Sequence, residues 1–122
     1  MPAGLGGVFG LPGTRNYIPI LVVHTGIVAQ GSVQGTATIL NAGINNVTSV
    51  AASTGVLLPN IEIGMEVIVR NSGANALLIY PYSYQSINAA AVNVAYSLPV
   101  LGSIKFIGLT ETVWITQGAS YA

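Results

Sequence analysis

The side chains able to do acid–base or ligand chemistry in this 122-residue chain are few: Glu62, Glu66, Glu111, His24, Arg15, Arg70 and Lys105, with no cysteine and no aspartate. Glu62 and Glu66 invite a paired-carboxylate reading. In extended chain four residues span about 13 Å, at roughly 3.3 Å each, whereas glycosidase carboxylates sit roughly 5–9.5 Å apart. Gly64 between them could bend the chain. The simpler reading makes Glu62 a turn-side charge and Glu66 a strand-side partner for Arg70. A hydrolase triad needs acid, base and nucleophile in one site, and His24 with Ser32 and a distant glutamate has no such spacing. His24 lies in the apolar run Leu21-Val22-Val23-His24-Thr25. With no second histidine, a metal set would need copies of His24 around a symmetry axis, so a hydrogen-bonded or exposed strand histidine is expected. Gly4-Leu5-Gly6-Gly7 follows no strand and misses the dinucleotide spacing, with Phe9 where a third glycine belongs. Three scattered cations make no footprint for nucleic acid. Asn46-Val47-Thr48 matches a glycosylation sequon, which carries little without an export signal. The expectation is a protein with no catalytic residue, no cofactor and no metal.

What remains is surface chemistry. Tyr80, Tyr82 and Tyr84 alternate around Pro81, so extended chain would set three rings on one side. Pro81 cannot donate to a ladder, which places the stretch at a sheet edge or in a loop. Tyrosine buries a large ring while keeping a polar tip and is favoured at interfaces. The three rings are read either as an interface or as a lid over the core. Trp114, between Val113 and Ile115, reads as core or as intersubunit packing.

These residues need a frame, and the pattern predicts β-structure. Val-, Ile- and Thr-rich runs alternate with Gly, Asn, Ser and Pro clusters. Strands are expected at residues 20–28, 36–41, 46–51, 65–70, 76–80, 95–98, 103–109 and 113–117. Two connections look like hairpin turns: residues 71–75, with Gly73, Asn71 and Asn75, and residues 110–112. In the strand at 65–70, Met65, Val67 and Val69 face one way, Glu66 and Arg70 the other, with those two charges paired. Ile104 and Phe106 oppose Lys105 in the same manner. The alanine-rich stretch 88–94 could form one helical turn. Eight short strands point to an all-β fold, a β-sandwich or jelly-roll-like single domain over residues 17–122. Residues 1–16, rich in Gly and Pro yet carrying Leu5, Val8, Phe9 and Leu11, are read as an extended arm docking on a neighbouring subunit, the other reading being simple terminal disorder.

Composition supports company. Charged residues are 5% of the chain, against roughly 25% in ordinary domains, hydrophobic residues are 52%, and the formal net charge is zero. Free surfaces carry mixed charge, while obligate interfaces resemble a core cut in half. A membrane span is not expected: the longest apolar run, residues 17–29, is 13 residues long and broken by Pro19 and His24, against about 20 for a spanning helix. No basic region precedes it to make a signal peptide.

The stretch 55–117 resembles a module of phage virion proteins. The resemblance rests on Gly55-Val56-Leu57-Leu58-Pro59, on Gly64-Met65-Glu66-Val67-Ile68-Val69-Arg70-Asn71-Ser72-Gly73-Ala74-Asn75, on Tyr80-Pro81 and on Ser86-Ile87-Asn88. It closes on Gly102-Ser103-Ile104-Lys105-Phe106-Ile107 and Trp114-Ile115-Thr116. Similar sequences occur in phage capsid decoration (cement) proteins and in tail-associated structural proteins. Tyr82 and Tyr84 before the Ser-Ile-Asn element, and Ala89-Ala90-Ala91 after it, depart from that pattern. The resemblance implies a homotrimeric shell component on the capsid surface that bridges major capsid proteins. A tail- or fibre-associated host-binding module is the other reading. The interface residues expected are Leu5, Val8, Phe9, Leu11, Tyr80, Tyr82, Tyr84 and Trp114.

Overall fold

The computed structural model describes residues 20–118. They are all-β, with ten strands in two sheets: β1 (Val23–Val28), β2 (Thr38–Ile39), β3 (Gly43–Ser49), β4 (Gly55–Leu57), β5 (Glu66–Asn71), β6 (Leu77–Tyr80), β7 (Ser86–Ile87), β8 (Tyr96–Leu98), β9 (Ser103–Gly108) and β10 (Val113–Gln117). The first sheet runs β1-β3-β5-β9-β10-β7 and the second β2-β4-β6-β8. Leu5, Val8, Phe9 and Leu11 lie outside the described residues, as does the rest of the expected arm.

The two-sheet arrangement agrees with the strand rhythm; the way the chain winds through it does not follow from that rhythm. β1, β3 and β5 stack in parallel in one sheet, and β2, β4 and β6 in parallel in the other. The chain therefore crosses between sheets at each step, making three consecutive turns: β1 to β2, β3 to β4, β5 to β6. Antiparallel β8, β9 and β10 then complete the sheets. The expected hairpin of β9 with β10 is present. The other expected hairpin is not, because β5 and β6 belong to different sheets.

The reason lies in the 71–75 connection. The buried Asn71 side chain donates to the carbonyls of Asn75 (2.9 Å) and Leu98 (3.1 Å) and accepts from the Gly73 N–H (3.0 Å). Asn75 reaches back to the Val50 carbonyl at 2.8 Å. A Cβ on Gly73 would sit 2.6 Å from Val50 Cγ2, so only glycine lets the chain cross this closely. The connection is an arch clamped onto the preceding turn.

Alternation decides the core. Val47, Val67, Val69, Ile104, Phe106 and Trp114 project from the first sheet, and Val56, Leu77, Ile79 and Leu98 from the second, into one buried cluster. Tyr96 meets Phe106 edge-on at 5.7 Å between ring centroids. Met65, Val67 and Val69 share the inner side, and Ile104 and Phe106 oppose Lys105, as their alternation anticipates. β1 carries a bulge at Gly26 (φ +74°), where its register on β3 shifts. The 88–94 stretch makes turns rather than a helical turn; among the described residues the single helical element is a 3-10 turn, Gln34–Thr36.

Candidate interaction surface

The charged groups come first. Glu66 pairs with Lys105 (Oε1–Nζ 3.5 Å), not with Arg70 as its strand position suggested. Residues four apart along one strand are too distant, whereas Lys105, opposite Ile68 on β9, lies diagonal to Glu66 and within reach of a long side chain. Arg70 Nη1 instead donates to the Leu101 carbonyl (2.6 Å) and to Ser103 Oγ (3.3 Å). Glu62 sits in the turn before β5, whose Met65 N–H donates to the Glu62 carbonyl. Among the described residues no three His, Cys, Asp or Glu side chains gather as a metal would require. Asn46 of the sequon is held from both sides: its Nδ2 donates to Thr25 Oγ1 (3.1 Å), and its Oδ1 accepts from Ser72 (2.6 Å). This polar ladder crosses all three turns of the winding.

The tyrosine segment departs from the extended geometry expected of it. Tyr80 ends β6, half-buried, with its hydroxyl donating to the Ser32 carbonyl at 3.2 Å. Pro81 is buried. The chain then turns, the Gln85 N–H closing on the Tyr82 carbonyl (2.9 Å), and Tyr84 takes a left-handed backbone (φ +66°). The three rings therefore do not form one row. Two side chains pin the loop. Gln34 donates to the Pro81 carbonyl (2.7 Å) and to Asn93 Oδ1 (3.1 Å), and Asn93 Oδ1 accepts the Tyr84 N–H at 2.7 Å. Gln85, buried behind, donates to Asn60 Oδ1 at 2.8 Å. The result is a rigid rim on which Tyr82, Tyr84, Val92 and Val94 are exposed, Tyr84 at 79%.

Trp114 leaves the interface set: it is fully buried between the sheets. The run Val113-Trp114-Ile115 is apolar on both faces, and in the fold the indole takes the inner one while its neighbours are half-buried on the outer. Its Nε1, like Gln85 Oε1, is buried without a hydrogen-bond partner.

A second apolar region lies where the sequence pattern promises no more than a strand. β1 and β2 are edge strands of their sheets, on the same end of the winding. Exposed there are Ile20 (90%), Val22 (63%), Val23 (58%), Val28 (48%) and Ile39 (66%). The run Ile20-Leu21-Val22-Val23, apolar at successive positions, was the available signal, since a half-buried strand needs apolar residues on one face alone. For Val92 and Val94 the signal was their alternation around Asn93, obscured by the alanines before them. Among the described residues no helix is long and apolar enough to cross a membrane.

No family model, no curated protein and no solved structure matches this chain.

Proposed function

We propose that this chain is a non-enzymatic structural subunit of a phage virion, a capsid cement or decoration protein that acts as a homotrimer on the capsid surface and bridges major capsid proteins. The observation that carries the reading is the pairing of scarce charge with exposed apolar groups. Fourteen large hydrophobic or aromatic side chains stand exposed among the described residues, while Glu66 and Lys105 engage each other and Arg70 engages a backbone carbonyl and Ser103. A surface of that composition resembles the buried core of an interface more than a free exterior. Tyr84 strengthens it. A bulky residue at positive φ is strained, and here the strain presents a ring to solvent on a hydrogen-bonded support. The phage assignment itself rests on the sequence resemblance over 55–117. Association multiplies modest contacts, because three-fold display raises effective concentration at a second and third site.

The exposed Tyr82 and Tyr84 also favour a second reading, a tail- or fibre-associated module whose rings stack on host glycans. Copy number separates the two. Quantitative gel analysis of purified particles is expected to find this chain at a stoichiometry comparable with the major capsid protein; a few copies per particle would reject the cement reading and favour the tail.

A further inference from the structure

We infer that the outer face of the first sheet packs on the same face of a second copy, about a two-fold axis along the diagonal from Ile68 to Ile107. The strand pattern asks for a cover on that side. A strand buried on one face needs apolar residues only at alternate positions, whereas strands buried on both faces read as continuous apolar runs. Val67-Ile68-Val69, Phe106-Ile107 and Val113-Trp114-Ile115 are continuous. Val67, Val69, Phe106 and Trp114 fill the core, which leaves Ile68, Ile107 and Ile115 half-buried on the outer side. Ile44 lies beside Ile68, Val23 beside Ile44, and Ile115 beside Ile107. With Ile68 and Ile107 diagonal to each other across β5 and β9, these side chains form an aliphatic stripe over five strands.

The charges on the stripe identify its occupant. Lys105 stands opposite Ile68 and Glu66 opposite Ile107, so the four make a square with the isoleucines on one diagonal and the ion pair on the other. A two-fold interface must be complementary to itself. Turning a second copy about the isoleucine diagonal lays Ile68 and Ile107 on their own counterparts. It also brings Glu66 of each copy over Lys105 of the other, and the two in-chain pairs become one ring of four alternating charges. An axis along the strands or straight across them sets a charge on an isoleucine instead, and an axis along the ion pair sets like charges together. The strands of the two copies then cross steeply, as in orthogonal sheet packing. Five strands at about 4.8 Å and six residues at about 3.3 Å make a face of roughly 24 by 20 Å, or about 1,000 Å² over both copies, the size at which specific interfaces begin. Aliphatic burial supplies the attraction, and the charge ring fixes the register. The contact forms without added sulfate. It adds a two-fold operation to the three-fold one proposed above and does not depend on the virion reading.

Sedimentation equilibrium of the full-length chain in dilute buffer tests the contact. Glu66→Lys and Lys105→Glu each set like charges across the axis, and each alone is expected to sediment at half the wild-type mass. Mixed in equal amounts, they are expected to regain the wild-type mass, because two lysines of one chain then face two glutamates of the other. Loss of the in-chain pair cannot produce that rescue, since neither variant has it. Glu111→Lys carries the same net charge as Glu66→Lys but lies in the turn before β10. Mixed with Lys105→Glu, it is expected to give no mixed species in native mass spectrometry. Ile68→Thr with Ile107→Thr keeps β-branched residues suited to strands and should also halve the mass. A single-chain mass for the wild type, charge variants that keep the wild-type mass, no recovery on mixing, or equal mixing with Glu111→Lys would each overturn the inference.

Discussion

Tyr84 separates stability from binding at the level of one side chain. Its left-handed backbone (φ +66°) is held by the Asn93 carboxamide, and its ring is solvent-exposed. Glycine adopts that conformation without the Cβ clash, whose cost in ordinary residues is roughly 1–2 kcal/mol. Tyr84→Gly is therefore expected to leave the denaturant midpoint unchanged or slightly raised, while weakening binding to empty shells. A lowered midpoint with unchanged binding would make the ring structural. Trp114 is the converse. It is fully buried, so Trp114→Ala should cost about 3–5 kcal/mol, read as a fall in the urea midpoint. The sequence could not separate these two residues' roles, because each sat in a pattern with two solutions. Val113-Trp114-Ile115 is apolar on both faces, and the tyrosine alternation presumed an extended chain that the turn at Tyr82 interrupts.

At the scale of elements, the strands were legible and their partners were not. Alternation located β5 and β9 with the correct inner faces, and β10 without deciding its inner face, because burial of one side imposes a period of two whatever the neighbour's direction. That same indifference hides parallel from antiparallel pairing. The 71–75 connection reads as a hairpin turn from its glycine and asparagines, yet the groups that make it an arch, the Leu98 and Val50 carbonyls, lie some 25 residues away in sequence. β4 and β7, of three and two residues, were too short to stand out from their turns. The arch gives a prediction of its own. Asn71→Leu removes an amide that satisfies the Asn75 and Leu98 carbonyls and the Gly73 N–H, and leaving buried polar groups unpaired costs about 1–3 kcal/mol each. Gly73→Ala should also destabilise, by about 1–3 kcal/mol, through the overlap with Val50. If both variants unfold at the wild-type midpoint, the crossover is not set by this clamp.

For the molecule as a whole, the question is which force governs its behaviour in solution. The Lys105–Glu66 pair is the single ion pair among the described residues, with side chains 31% and 45% exposed. Exposed pairs contribute about 0–1 kcal/mol and are screened by salt. The formal net charge is zero, so there is no long-range repulsion to keep copies apart. Both facts leave apolar burial as the main driving force, within the chain and between chains. Sodium chloride should therefore shift the thermal midpoint little. Sulfate, which strengthens apolar burial by exclusion from the surface, should raise the weight-average mass in sedimentation equilibrium. The Tyr82–Val94 rim offers exposed apolar side chains on a hydrogen-bonded support, and Tyr84→Ser with Val92→Ser should then abolish the sulfate-driven rise. A mass that responds to sulfate equally in that double variant would move the association surface elsewhere; a mass set by sodium chloride instead would make it electrostatic, against the composition of the chain.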